Sequence, residues 1–181
     1  MAVSLDIATP DSIRALHEVR PGARVFSSAF HQDGIRAYVA GHFGGVCWNV
    51  ETGEILFRSD CGCFSVLFVG DFLVYDSGDA LKMNELNQSC TGLEEDSTEF
   101  LGHSERVVDQ CVTPDGTHLI TCSGDATVRV FELQSAKCVY SFFNHRAQQY
   151  RSVAVHPNGN LVLAANRNFM VYFLESHAYV S

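Results

Sequence analysis

Short runs of alternating apolar residues, each leading into a Gly turn, recur along this chain at one spacing. Gly34 and Gly116 stand two periods of ~41 residues apart, and Gly116 and Gly159 stand one. A chain patterned in this way folds as a row of similar units, not around one irregular core. The first copy reads Val25-Phe26-Ser27-Ser28-Ala29-Phe30, turns at His31-Gln32-Asp33-Gly34, continues through Ala37-Tyr38-Val39-Ala40, turns at Gly44-Gly45 and closes on Val46-Cys47-Trp48-Asn49. The last runs from Ser152-Val153-Ala154-Val155 through the turn His156-Pro157-Asn158-Gly159 to Leu161-Val162-Leu163-Ala164 and Met170-Val171-Tyr172-Phe173. A period of two between turn residues predicts half-buried antiparallel strands joined by hairpins. The faintest copy holds Ser65-Val66-Leu67-Phe68, Phe72-Leu73-Val74-Tyr75 and Leu81-Lys82-Met83, and its membership rests on spacing.

The segment Phe100 to Glu132 is the most complete unit. Gly102 and His103 form a Gly-His dipeptide, Pro114-Asp115-Gly116 and Ser123-Gly124-Asp125 mark two turns, and Phe131-Glu132 stands where Trp-Asp usually closes such a unit. This resembles a WD40 repeat, and Trp48-Asn49 is the best Trp-Asp equivalent. The resemblance implies an all-β, WD40-type β-propeller with about four blades, at residues 24–62, 63–100, 101–144 and 145–181, preceded by an N-terminal arm at 1–23. Rings of this family usually carry more blades, so the ring is expected to be incomplete, to be finished by sequence beyond Ser181 or by a second chain. Ser12 to His17 is read as a closing strand, with a short helix as its alternative. Asn87 to Glu99, with Glu94-Glu95-Asp96 at its middle, reads as an acidic solvated loop between the second and third blades.

The resemblance also assigns roles. His103, Thr121 and Asp125 fit three places of the hydrogen-bonded tetrad of WD40 blades, and Phe131 takes the fourth, where the family has Trp. A buried imidazole needs a partner for each ring nitrogen, which an Asp and a Thr provide. Glu105, Arg106 and Asp109 fall at the start of the inner strand of the third blade, on the ring face where such proteins bind partners, and are the candidate partner-binding residues. Paired turn histidines, His31 and His156, are expected to cap their turns.

Charge and cysteines narrow the function. A net charge of -9 without a basic run disfavours nucleic acid and anionic membrane. The most apolar stretch, Phe64 to Tyr75, is too short to span a bilayer and contains Asp71. Seven cysteines without paired spacing read as small apolar residues in a reducing cytoplasm or nucleus. Cys61-Gly62-Cys63 lacks the spacing and second ligand pair of a zinc site, so no metal and no cofactor are expected. Ser104, His103 and Asp125 are the residue types of a hydrolase triad, but no Gly-x-Ser-x-Gly is present and no other catalytic motif appears. The expectation is a non-catalytic scaffold that binds other proteins. Its alternative is a structural subunit of a large RNA-protein or cytoskeletal assembly.

Overall fold

The computed structural model describes residues 24–42, 44–59, 63–86, 92–143, 149–166 and 171–175. These residues are all-β, in four consecutive antiparallel sheets. The first holds β1 (Val25–Phe30), β2 (Arg36–Gly41), β3 (Gly44–Asn49) and β4 (Ile55–Ser59). The second holds β5 (Val66–Val69), β6 (Phe72–Ser77), β7 (Ala80–Leu86) and β8 (Leu93–Phe100). The third holds β9 (Val107–Val112), β10 (His118–Ser123), β11 (Thr127–Glu132) and β12 (Cys138–Phe143). The fourth holds β13 (Tyr150–Val155), β14 (Leu161–Asn166) and β15 (Val171–Glu175). Strand order follows chain order in every sheet, as short hairpins require.

The sheets are blades. Contact between neighbouring sheets concentrates on their first strands, so that β1, β5, β9 and β13 stand side by side and the later strands fan outward. Alternation then has a use on both faces, because an inner blade is covered on each side. Tyr38, Cys47, Val66, Leu73 and Tyr75 join the first two blades. Val74, Leu81, Phe100, Leu119 and Phe131 join the second and third. Ile120, Cys122, Val130, Tyr150, Val153 and Val162 join the third and fourth. Adjacent residues of one strand therefore serve different cores: Leu73 faces the first blade and Val74 the third.

Asp-Gly and Asn-Gly sit where the repeat placed them. Gly34, Gly116 and Gly159 have φ of 72°, 71° and 77°, a backbone that glycine adopts without strain. His31 and His156 do cap their turns, each Nδ1 accepting the amide two residues on, from Asp33 and Asn158 at 3.2 Å. Asn49 caps the β3–β4 turn by accepting from Glu51 N at 2.9 Å and Thr52 N at 3.1 Å.

Two expectations are overturned. Gly44 and Gly45, read as a turn, begin β3 and pair with Gly41 and Ala40 of β2, where the lack of a Cβ on Gly45 leaves room for the Tyr38 ring. The acidic stretch read as a loop is largely the outermost strand of the second blade, β8, which pairs with β7 in register Leu81↔Phe100, Met83↔Thr98 and Leu86↔Leu93. An outer strand needs one apolar contact at each end and backbone partners between, so the solvent-facing acids Glu95 and Glu99 do not prevent it. Residues 87–91 of that stretch lie outside the described residues, as do the N-terminal arm, the Ser12 to His17 segment, Cys61 and Gly62.

Candidate functional site

Antiparallel pairing gives the blades two ends. One carries the turns at His31–Gly34, Thr113–Gly116 and His156–Gly159; the other carries the loops that lead into β5 and β9 and the β10–β11 turn. The expected tetrad assembles at this second end. His103 Nδ1 lies 2.9 Å from Asp125 Oδ2, and Nε2 lies 2.7 Å from Thr121 Oγ1. With Nδ1–H donating to the carboxylate, Nε2 is left to accept the Thr121 hydroxyl. Phe131 closes the group as packing alone: its ring centre is 6.3 Å from that of His103, inclined at 60°.

Two further residues join: Thr127, which sequence reading missed, and Ser104, which it set beside His103 and Asp125 only as a triad residue type. Thr127 donates to Asp125 Oδ1 from its amide at 2.9 Å and its hydroxyl at 2.6 Å. The Ser104 amide donates to Asp125 Oδ2 at 3.0 Å, so Ser104 enters through its backbone. Burial works against the Asp125 charge, but the donors from His103, Thr127 and Ser104 outweigh it and hold the carboxyl well below the ordinary carboxylate range. A threonine two residues after a turn aspartate was a readable signal for such a cap.

This network fixes the loop that carries the candidate partner-binding residues. Ser123 Oγ donates to Glu105 O at 2.8 Å, and Gly124 N donates to Arg106 O at 3.0 Å, so the turn held by His103 and Asp125 grips the backbone of both residues. Their side chains remain exposed. Leu101, 63% exposed, stands just before Gly102 and His103. Asp109 is placed differently. Its Oδ2 accepts from Ser152 Oγ at 2.8 Å and Val153 N at 2.9 Å, tying the third blade to the fourth.

Arg106 also reaches the neighbouring blade. Its Cζ lies 3.7 Å from the Phe64 ring centre, and Phe64 stacks on Phe26 at 4.1 Å, with His42 edge-on to Phe26 at 4.7 Å. A cation-aromatic stack thus crosses three blades at this end. Beneath it, Asp76 accepts from the amides of Phe64 and Ser65. Burial pushes the Asp76 carboxyl up to about 6, against those donors and the nearby Arg106 charge.

Cys47, Cys63 and Cys122 belong to packing, whereas Cys138 is exposed, against the expectation of a buried residue, and Cys61 and Cys90 lie outside the described residues. Cys63 is buried in the core between the first two blades. Burial pushes the Cys111 thiol up to about 12, and Asp109 adds to the shift; Cys122 is raised likewise. Among the described residues, no three His, Cys, Asp or Glu side chains are grouped to hold a metal ion.

Residues 95–132 and 136–173 match the family model described as WD domain, G-beta repeat. Each match takes the outermost strand of one blade and the first three strands of the next. WD repeat-containing protein 18 of Danio rerio is 28% identical over 129 residues, which takes in 65% of this chain and 30% of that relative. Ribosome biogenesis protein BOP1 homolog of Dictyostelium discoideum is 35% identical over 60 residues, 33% of this chain and 7% of that protein. The chain therefore spans less than a third of either relative's length.

Proposed function

Because this chain carries WD40 repeats, we propose that it is a non-catalytic platform that binds other proteins through the loop end of its blades. The observation that carries the reading is the buried His103–Asp125 network, which immobilises a backbone whose Glu105 and Arg106 side chains face solvent. A rigid loop loses little entropy on binding, and adjacent charges of opposite sign select a partner's orientation. A buried cysteine such as Cys122 suits a reducing compartment, which supports a site of action in the cytoplasm or nucleus.

The test is recovery of co-purifying proteins by the wild-type chain and by Glu105→Arg/Arg106→Glu. The proposal expects a defined set to fall about tenfold or more, a loss of roughly 1.4 kcal/mol in binding. Loss of the stack on Phe64 should lower stability by only about 0.5–1 kcal/mol. An unchanged set from a folded variant would overturn the loop end as the binding surface.

A second reading, a structural subunit of an RNA-protein assembly, draws on the name of the Dictyostelium relative. In that reading a neighbouring chain covers Phe30, 72% exposed on the face of the first blade turned from the second, and Leu163, 37% exposed on the outward face of the fourth. Sedimentation of the native chain with particles that ribonuclease disperses would favour it, and migration as a small free species would count against it.

A further inference from the structure

We infer that the cleft between the second and third blades, at the turn end and away from the loop surface, is a docking groove for an extended basic segment of a partner protein. The inference deepens the protein-binding reading and rests on it. The two blades meet in a closed core of Val74, Leu81, Phe100 and Leu119. Beyond it the same face of the second blade continues through the partly buried Met83 to the exposed Phe72 and Thr98. Two adjoining depressions of about 760 and 550 Å³ result, sharing Phe72, Met83 and Thr98 as common wall. The third blade supplies the opposite wall with Thr117, Leu133 and Gln134.

The groove has an apolar floor and an acidic rim. Phe72, 36% exposed, together with Met83 and Leu133 offers the floor. Glu85, Glu95 and Asp96 stand along one side and Glu132 on the other. Among the described residues no Lys, Arg or His lines either depression. Lys82, the nearest basic residue along β7, points to the other face of its strand, 3.3 Å from Glu99. Carboxylates of one sign around a low-dielectric trough focus a negative potential into it.

The occupant that satisfies both parts is a segment in which lysine or arginine alternates with a large apolar residue. The apolar side chain covers Phe72 and Met83, and the long basic side chains lay their methylene stems on the same floor while their charged heads reach the rim. An acidic partner would be repelled and a purely apolar one would leave the carboxylates unmatched. Among the described residues no strand pairs with the outer edge of β8, which runs beside this rim and favours an extended segment over a bulky domain.

The experiment uses a labelled peptide of repeated Lys-Arg-Leu, with repeated Lys-Arg-Ser and Glu-Asp-Leu as comparisons, read by fluorescence anisotropy at physiological salt against the full chain. Lys-Arg-Leu should bind, and Glu95→Lys/Asp96→Lys and Phe72→Ser should each weaken it about tenfold or more. Glu51→Lys/Glu54→Lys makes the same change in net charge at the β3–β4 turn and should leave binding within about twofold. Thermal unfolding of each variant checks that the fold persists, and Glu85→Gln provides a milder second change in the rim.

Equal weakening by the Glu51/Glu54 variant would show attraction to net charge alone and overturn the groove. Lys-Arg-Ser binding as tightly as Lys-Arg-Leu, or no binding by the wild-type chain, would overturn it as well. If the groove fails while Glu105→Arg/Arg106→Glu still strips co-purifying proteins, only the groove falls. If neither the groove variants nor the loop variant loses binding, both surfaces fall and binding lies elsewhere on the protein.

Discussion

At the scale of the residue, Asp76 is a carboxylate held where a charge is unwelcome. Its folded pKa, about 6, lies above the ordinary value near 3.8, so the folded state binds the proton more tightly than the unfolded chain does. Its effect is therefore greatest stability below about pH 4, a decline as pH rises from about 4 to 6, and a plateau above. Asp76→Asn keeps an oxygen to accept from Phe64 and Ser65 but removes the buried charge. The variant should gain about 1–3 kcal/mol over the wild type at pH 7, with the difference vanishing below about pH 4. Urea midpoints across that window check it, and a difference independent of pH would refute the assignment. Asp33 and Asp125 act in the opposite sense in both proteins. They are held below the ordinary range, so their contribution is lost as pH falls through their folded values.

At the scale of the element, the β2–β3 hairpin depends on a missing atom. A Cβ on Gly45 would fall 1.6 Å from Tyr38 Oη and 2.1 Å from its Cζ, while that hydroxyl is held 2.5 Å from Ser59 Oγ. Tyr38 is buried at the centre of the first core, so its ring has nowhere to retreat. Gly45→Ala should cost about 3 kcal/mol or more, seen as a lower denaturation midpoint. Wild-type stability would show that the ring does move. The run Val46 to Asn49 was legible from alternation, and so were the turns at Gly34, Gly116 and Gly159, because both are local patterns; Gly44 and Gly45 read as a turn because a glycine pair carries no alternation, yet they begin the strand. β8 was not. With apolar residues only at Leu93 and Phe100 it carries no period, and its strand character comes from pairing with β7. The tetrad was legible only through its resemblance to known repeats, and the tie from Asp109 to the fourth blade was not legible because its partners lie 43 and 44 residues downstream.

At the scale of the whole molecule, cohesion depends on neighbour-to-neighbour ties, as in any linear repeat array. Asp109 is the clearest such tie between the third and fourth blades. Asp109→Ala leaves the Val153 amide without its acceptor and should cost roughly 1–3 kcal/mol. The cost should appear as faster hydrogen exchange, about ten- to a hundredfold, confined to β13 and β14, with β6 and β7 unaffected. Uniform acceleration in every blade would mean that the array opens as one unit. Because Leu73 and Val74 face different neighbours, no blade owns a complete core. Removing one would not subtract a module. It would leave two orphaned half-interfaces, so evolution or engineering can shorten such a chain by peeling from an outer face but not by excising its middle.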